Sequence, residues 1–116
     1  MEEAAASPLL DHDTLRDLDE ALGPAFVAEC ISVYLGDADR LRAGIEMALS
    51  AGDGIELVRA AHALGSASAT VGAAALSRLC RRIEREGADE STAAQLTEAY
   101  RGAVTALRAE RDQRLG

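Results

Sequence analysis

Tryptophan is missing from this chain, and the other aromatics amount to one phenylalanine (Phe26) and two tyrosines (Tyr34 and Tyr100). A core with so few large rings must be aliphatic, and with Ala, Leu, Arg and Glu abundant it is expected to be built from helices. Positive charge is also scarce: 12 basic against 20 acidic residues leave a formal charge of −8. Nucleic-acid binding draws most of its strength from cations that neutralise phosphates, so DNA and RNA are poor partners. No apolar stretch approaches the roughly 20 residues that span a bilayer. The opening MEEAAASPLLD is acidic and lacks the basic start and apolar middle of a signal peptide. The expectation is a soluble, cytoplasmic protein with no membrane insertion. Cys30 and Cys80 are the two cysteines, and with His12 and His62 as the two histidines they form no metal-ligand pattern. They read as reduced, buried thiols, with a disulfide as the remaining alternative.

What the chain does have is 116 residues at 48% apolar content, enough for one domain around a single core. Residues 1–11 are Ala-, Ser- and acid-rich and contain Pro8, which suggests a tail or linker stub, leaving 12–116 as the folded domain. A short helix over 14–22 would carry Leu15, Leu18 and Leu22 on one side until Gly23 interrupts it. Pro24 then suits the first turn of a long helix over 24–49, where Phe26, Cys30, Val33, Tyr34, Leu41, Ile45 and Leu49 recur at threes and fours.

Residues 50–54 break that helix, and Asp53 with Glu56 three places on forms a candidate capping box. Gly52 and Gly54 make a lone GxG that, without a preceding strand, reads as a turn and not a phosphate loop. The next helix would bury Val58, Ala61, Leu64, Ala67 or Ser68, and Val71, with Gly72 at its exit. A fourth, over 73–86, buries Leu76, Leu79, Cys80 and Ile83 and shows Arg78, Arg81, Arg82 and Arg85 to solvent. A last one, capped by Ser91 or Thr92, runs to about Arg111 on Leu96, Tyr100, Ala103 and Leu107. Nothing alternates like a strand. Four substantial helices with short connections predict an all-α, antiparallel up-down four-helix bundle, with the short N-terminal helix capping one end.

On the third helix, Arg59, His62 and Ser66 fall one turn apart on the face opposite the apolar stripe, so His62 points outward. Around it runs Ala61-His-Ala-Leu-Gly-Ser-Ala-Ser-Ala-Thr-Val-Gly-Ala73, followed by Leu76, Leu79-Cys80 and Glu84. This pattern resembles the histidine-containing phosphotransfer (HPt) domain of two-component phosphorelays. Leu15, Leu18, Leu22-Gly23 and Phe26 are similar to that family's opening, and Gly52-Asp53 to its middle turn. The resemblance implies a phosphocarrier with His62 as phosphoacceptor. It further implies receiver domains of a hybrid histidine kinase or response regulator as partners, and no cofactor of its own, Mg²⁺ being brought by the receiver. A neutral imidazole nitrogen is a competent nucleophile, and an exposed mid-helix site admits a partner's aspartyl phosphate. Such a protein is a phosphohistidine intermediate and not an independent enzyme, and it has no kinase ATP-binding domain. One histidine site needs no symmetry mate, so a monomer is expected.

The chain departs from the family after the histidine. Lys three residues on and Gly four residues on are usual there, where this chain has Gly65 and Ser66. Arg59, one turn before His62, is a candidate for the missing cation, and Ser66 for a hydroxyl donor to the phosphoryl group. Gly65 is explained by packing or by access. Glu84 falls where the family often places a polar residue that hydrogen-bonds the other ring nitrogen, although Arg81 or Arg85 on its own helix could pair with it instead. Ala63, Gly65 and Ala69, small residues around the histidine, would allow close approach by a receiver. The loss of the Lys-Gly pair keeps a second reading open, that of an HPt-like adaptor that no longer accepts phosphate. A histidine-kinase phosphoacceptor helix pair fits less well, because Ala63 follows the histidine in place of an acidic residue. A hydrolase lacks any Ser or Cys with a histidine at local spacing to activate it.

Overall fold

The computed structural model describes residues 9–116, and among these the chain forms five helices: α1 (His12–Leu22), α2 (Pro24–Ala51), α3 (Gly54–Thr70), α4 (Ala74–Glu86) and α5 (Thr92–Leu115). Each boundary has a local cause. The Asp11 carboxylate accepts from the backbone N–H groups of Asp13 and Thr14 and opens α1. The hydrogen bond from Thr14 holds that carboxyl below its usual range. Pro24 occupies the first turn of α2, which ends at Gly52 in the left-handed conformation (φ 66°), its N–H bonded to Ala48 and Leu49 carbonyls. Asp53 accepts from the Glu56 N–H at 3.0 Å to start α3. The capping box is half formed, because the Glu56 side chain is taken by Arg59. At the last connection Ser91 holds the N-cap position of α5, but its side chain makes no capping hydrogen bond; the Asp89 carboxylate instead braces the turn, accepting from the Ser91 N–H and from the Ser91 and Thr92 hydroxyls.

The four longer helices close into a ring in which α2 packs on α3 and α5, α3 on α4, and α4 more thinly on α5; α1 lies against α2. With connections this short the neighbours run antiparallel, an up-down bundle with a helical cap at the end where α3 turns into α4. Two contacts seat the cap. Asp11 N–H donates to the Gly72 carbonyl at 2.8 Å, and Asp19 receives the Arg114 guanidinium from the end of α5 at 2.7 and 2.9 Å. Gly72 has φ 78°, and a Cβ there would meet the Asp11 carbonyl at 3.0 Å, so both the turn and the close approach require glycine.

Several sequence expectations are corrected by this packing. Residues 9–11 belong to the fold and not to a tail: Leu10 is buried, and the Leu9 carbonyl accepts from Ala75 N–H. The rest of the expected tail, residues 1–8, lies outside the described residues. On α2 the buried stripe is Val27, Ile31, Tyr34, Ala38, Ile45 and Ala48, whereas Phe26 and Val33 are 53% and 62% exposed and Cys30 is half-buried. The apolar residues of α2 form two adjacent stripes of the same period, and neighbours on three sides decide which one is covered. Val58 is exposed for the same reason, offset by one residue from the Leu57, Ala61, Leu64 stripe. Leu22 is also exposed, and α5 continues past Arg111 to Leu115 because Arg114 is anchored by Asp19 and Glu110. Both cysteines are free, and Cys80 is fully buried.

Candidate functional site

The site is assembled where the middle of α3 passes α4. Two buried groups set the rotation of α3. Ser68, fully enclosed, shares a 2.7 Å hydrogen bond with the Tyr34 hydroxyl on α2. Three residues earlier Gly65 faces α4 so closely that a Cβ would stand 3.0 Å from the Cys80 Cβ, and its carbonyl accepts from the Ser77 hydroxyl at 3.1 Å. Gly65 is therefore a packing glycine. It is buried against α4 and also lines the groove beside His62, so of the two explanations read from the sequence, packing and access, the geometry gives packing a direct cause.

Locking α3 in this way turns His62 outward, its side chain 67% exposed. The ring is not loose: Nδ1 lies 2.9 Å from Glu84 Oε2 on α4. A carboxylate can only accept, so Nδ1 carries the proton and donates it, and Nε2 is left as the ring's lone-pair nitrogen. Nε2 has no hydrogen-bond partner among the described residues. Of the two partners the sequence left open for Glu84, the structure brings His62 to it and pairs neither Arg81 nor Arg85 with it among the described residues.

The groove around the imidazole is lined by His62, Gly65, Ser66, Arg81, Glu84 and Arg85. Arg59 is not in it. Its guanidinium makes a two-pronged contact with Glu56, Nε to Oε1 at 3.1 Å, which stabilises the charged form and raises its pKa further. Sequence reasoning missed the two cations that do line the groove. The only signal was their position on either side of Glu84, and whether they reach α3 depends on how α4 is set. Ser66 is exposed at the groove with its hydroxyl unengaged, while Ala63 and Ala69 are half-buried beside it. Cys80 lies beneath the site but is no nucleophile, since burial, reinforced by the nearby Glu84 charge, pushes its thiol up to about 12. Among the described residues no group of three His, Cys, Asp or Glu side chains is arranged to hold a metal ion.

On the α2 side of α3 a second, apolar groove opens, lined by Phe26, Cys30, Val33, Ala67, Thr70 and Val71 among others. Among the described residues no helix is long and apolar enough to cross a membrane.

The same architecture occurs in known proteins. Histidine-containing phosphotransfer protein B (HptB) from Pseudomonas aeruginosa PAO1 superposes with a TM-score of 0.80 at 24% identity, over 93% of this chain and 98% of that one. The histidine-containing phosphotransfer domain of ArcB from Escherichia coli does so with a TM-score of 0.74 at 21% identity, over 95% and 98%. At these identities the likeness is one of fold. No curated protein sequence matches. The family model described as Hpt domain matches residues 29–110, more than half of the chain and the whole of the site. With His62 and Glu84 joined inside that span, the chain belongs to the Hpt domain family of two-component phosphorelays.

Proposed function

We propose that this protein accepts a phosphoryl group on His62 Nε2 from the aspartyl phosphate of a receiver domain and passes it to a second receiver. The observation that carries this reading is the geometry of one ring, exposed, with Nδ1–H held by Glu84 and Nε2 open. The Nε2 lone pair attacks phosphorus, the P–N bond forms as the P–O bond to the aspartate breaks, and the electron pair leaves with the carboxylate. The imidazole gains positive charge in this step, and the Glu84 carboxylate on the Nδ1–H stabilises it. Transfer onward is the reverse step with a new aspartate. Such chemistry depends on positioning and charge, and we assign the acidic pocket and its Mg²⁺ to the receiver, with no cofactor bound by this chain.

The small residues Ala63, Ser66 and Ala69 and the apolar groove with exposed Phe26 and Val33 fit the seat of a receiver, a contact modest enough to release quickly. This reading makes the protein a monomeric cytoplasmic carrier and not an enzyme with its own substrate pocket. Incubation of the purified protein with a phosphorylated receiver should yield an acid-labile, base-stable phosphate that is absent in His62→Gln. Because His62 is exposed, that variant should keep its melting temperature. If several receivers transfer nothing to the wild type, the adaptor reading takes its place.

A further inference from the structure

Where the resembling family has a lysine, this chain has Gly65, and the packing disfavours a side chain there: an added Cβ would stand 3.0 Å from Cys80 Cβ, so that α4 would have to give way. The sequence contains no lysine anywhere, and every cation is an arginine. A phosphoryl group on His62 would nonetheless need positive charge, because it would bring close to two negative charges next to the Glu84 carboxylate on the same ring.

We infer that Arg81 and Arg85 of α4 hold the phosphoryl oxygens on His62, supplying from the neighbouring helix the cation that α3 lacks at position 65. The inference rests on the phosphocarrier reading. Both arginines line the groove with His62, Ser66 and Glu84. They flank Glu84 on α4, three residues before it and one after, so the helix that orients the ring also presents the charge. Their donors are available. Arg81 makes no ion pair among the described residues, and the one contact of Arg85 is a loose 3.7 Å approach to Glu86. Arg59, by contrast, does not line this groove and is paired in two-pronged fashion with Glu56. A guanidinium carries five N–H donors in a planar fork that matches phosphate oxygens, so two of them can engage the group without bonding to His62 itself. The arginines make and break no covalent bond. They are positioning residues that lower the cost of gathering negative charge beside Glu84.

The test uses phosphoramidate, a small P–N donor that phosphorylates histidine without a protein partner, with ³¹P NMR following the phosphohistidine. In the full chain, Arg81→Gln with Arg85→Gln should slow phosphorylation of His62 about tenfold. The pH at which the bound phosphoryl group takes up its proton should rise by about one unit as its counter-charge disappears. Arg81→Lys with Arg85→Lys should recover most of the rate, and Arg16→Gln, distant on α1, should match wild type. A Gln pair within about twofold of wild type with the same protonation midpoint would overturn the inference. So would a Lys pair as slow as the Gln pair, since that would make the role steric. A wild-type protein that takes no phosphate on His62 would sink the carrier reading itself, an outcome distinct from either of these.

Discussion

The two flanks of α3 are held by different means. Against α2 the helix is spaced by side chains, with a buried hydroxyl pair, Tyr34 and Ser68, in the seam and an apolar groove beyond it. Against α4 it is spaced by almost nothing, with Gly65 against Cys80 and a hydroxyl on the glycine carbonyl, and beyond that seam the groove is polar and lined with arginines. A close backbone approach brings the residues of the neighbouring helix within reach of the ring, while a wider seam leaves room for apolar surface. One flank thus suits shared chemistry between two helices and the other suits docking, and His62 stands on the ridge between them.

The contrast can be broken most severely at the tight seam. Gly65→Lys would restore the family's cation in sequence but not in space. It should destabilise the fold by about 1–3 kcal/mol through overpacking, read as a lower urea midpoint at unchanged slope. A midpoint equal to wild type would mean that α4 yields and that the seam is not tight. Next, Glu84→Ala should release the ring and slow phosphohistidine formation by roughly tenfold, the scale on which ring-orienting partners act. Glu84→Gln, whose amide oxygen can still accept from Nδ1–H, should lose less.

On the other flank, Tyr34→Phe leaves the enclosed Ser68 hydroxyl without its partner and should cost about 1 kcal/mol in chemical denaturation, with phosphorylation unaffected. Adding Ser68→Ala should recover part of the loss. The same region sets a pH limit. Burial raises Tyr34 from 10.0 to about 12 and Cys80 from 9.0 to about 12. Each is an acid whose folded pKa lies above its unfolded one, so the stability it contributes is complete below the unfolded value and lost as pH climbs toward 12. Thermal melts should therefore fall between about pH 9 and 12, and the Cys80→Ala, Tyr34→Phe double variant should show a shallower fall. The smallest effect belongs to Arg59→Glu, which breaks the surface pair with Glu56 and should leave phosphohistidine formation within about twofold of wild type. A loss comparable to that of the Arg81 and Arg85 variants would return Arg59 to the site.

Much of this was legible in the order of residues. The period of the apolar positions marked every long helix, because helical geometry repeats whatever the surroundings. Asp53 and Pro24 announced where α3 and α2 begin, since caps act within a single turn. The pairing of His62 with Glu84 was legible too, through the resemblance of the sequence around them to a known family. Less visible was the part played by residues 9–11, whose Leu10 fills a gap that exists only once α1 has docked.

Local pattern alone determined that the chain is helical, that its helices are amphipathic, and that His62 lies opposite the buried stripe of its own helix. Tertiary structure decided which of two equivalent stripes on α2 is covered, why position 65 favours glycine, and which arginines surround the imidazole. The division has one physical cause. A helix dictates the angles between its own side chains, whereas the distance and rotation of the helix beside it come from how the whole set of side chains fills the space between them.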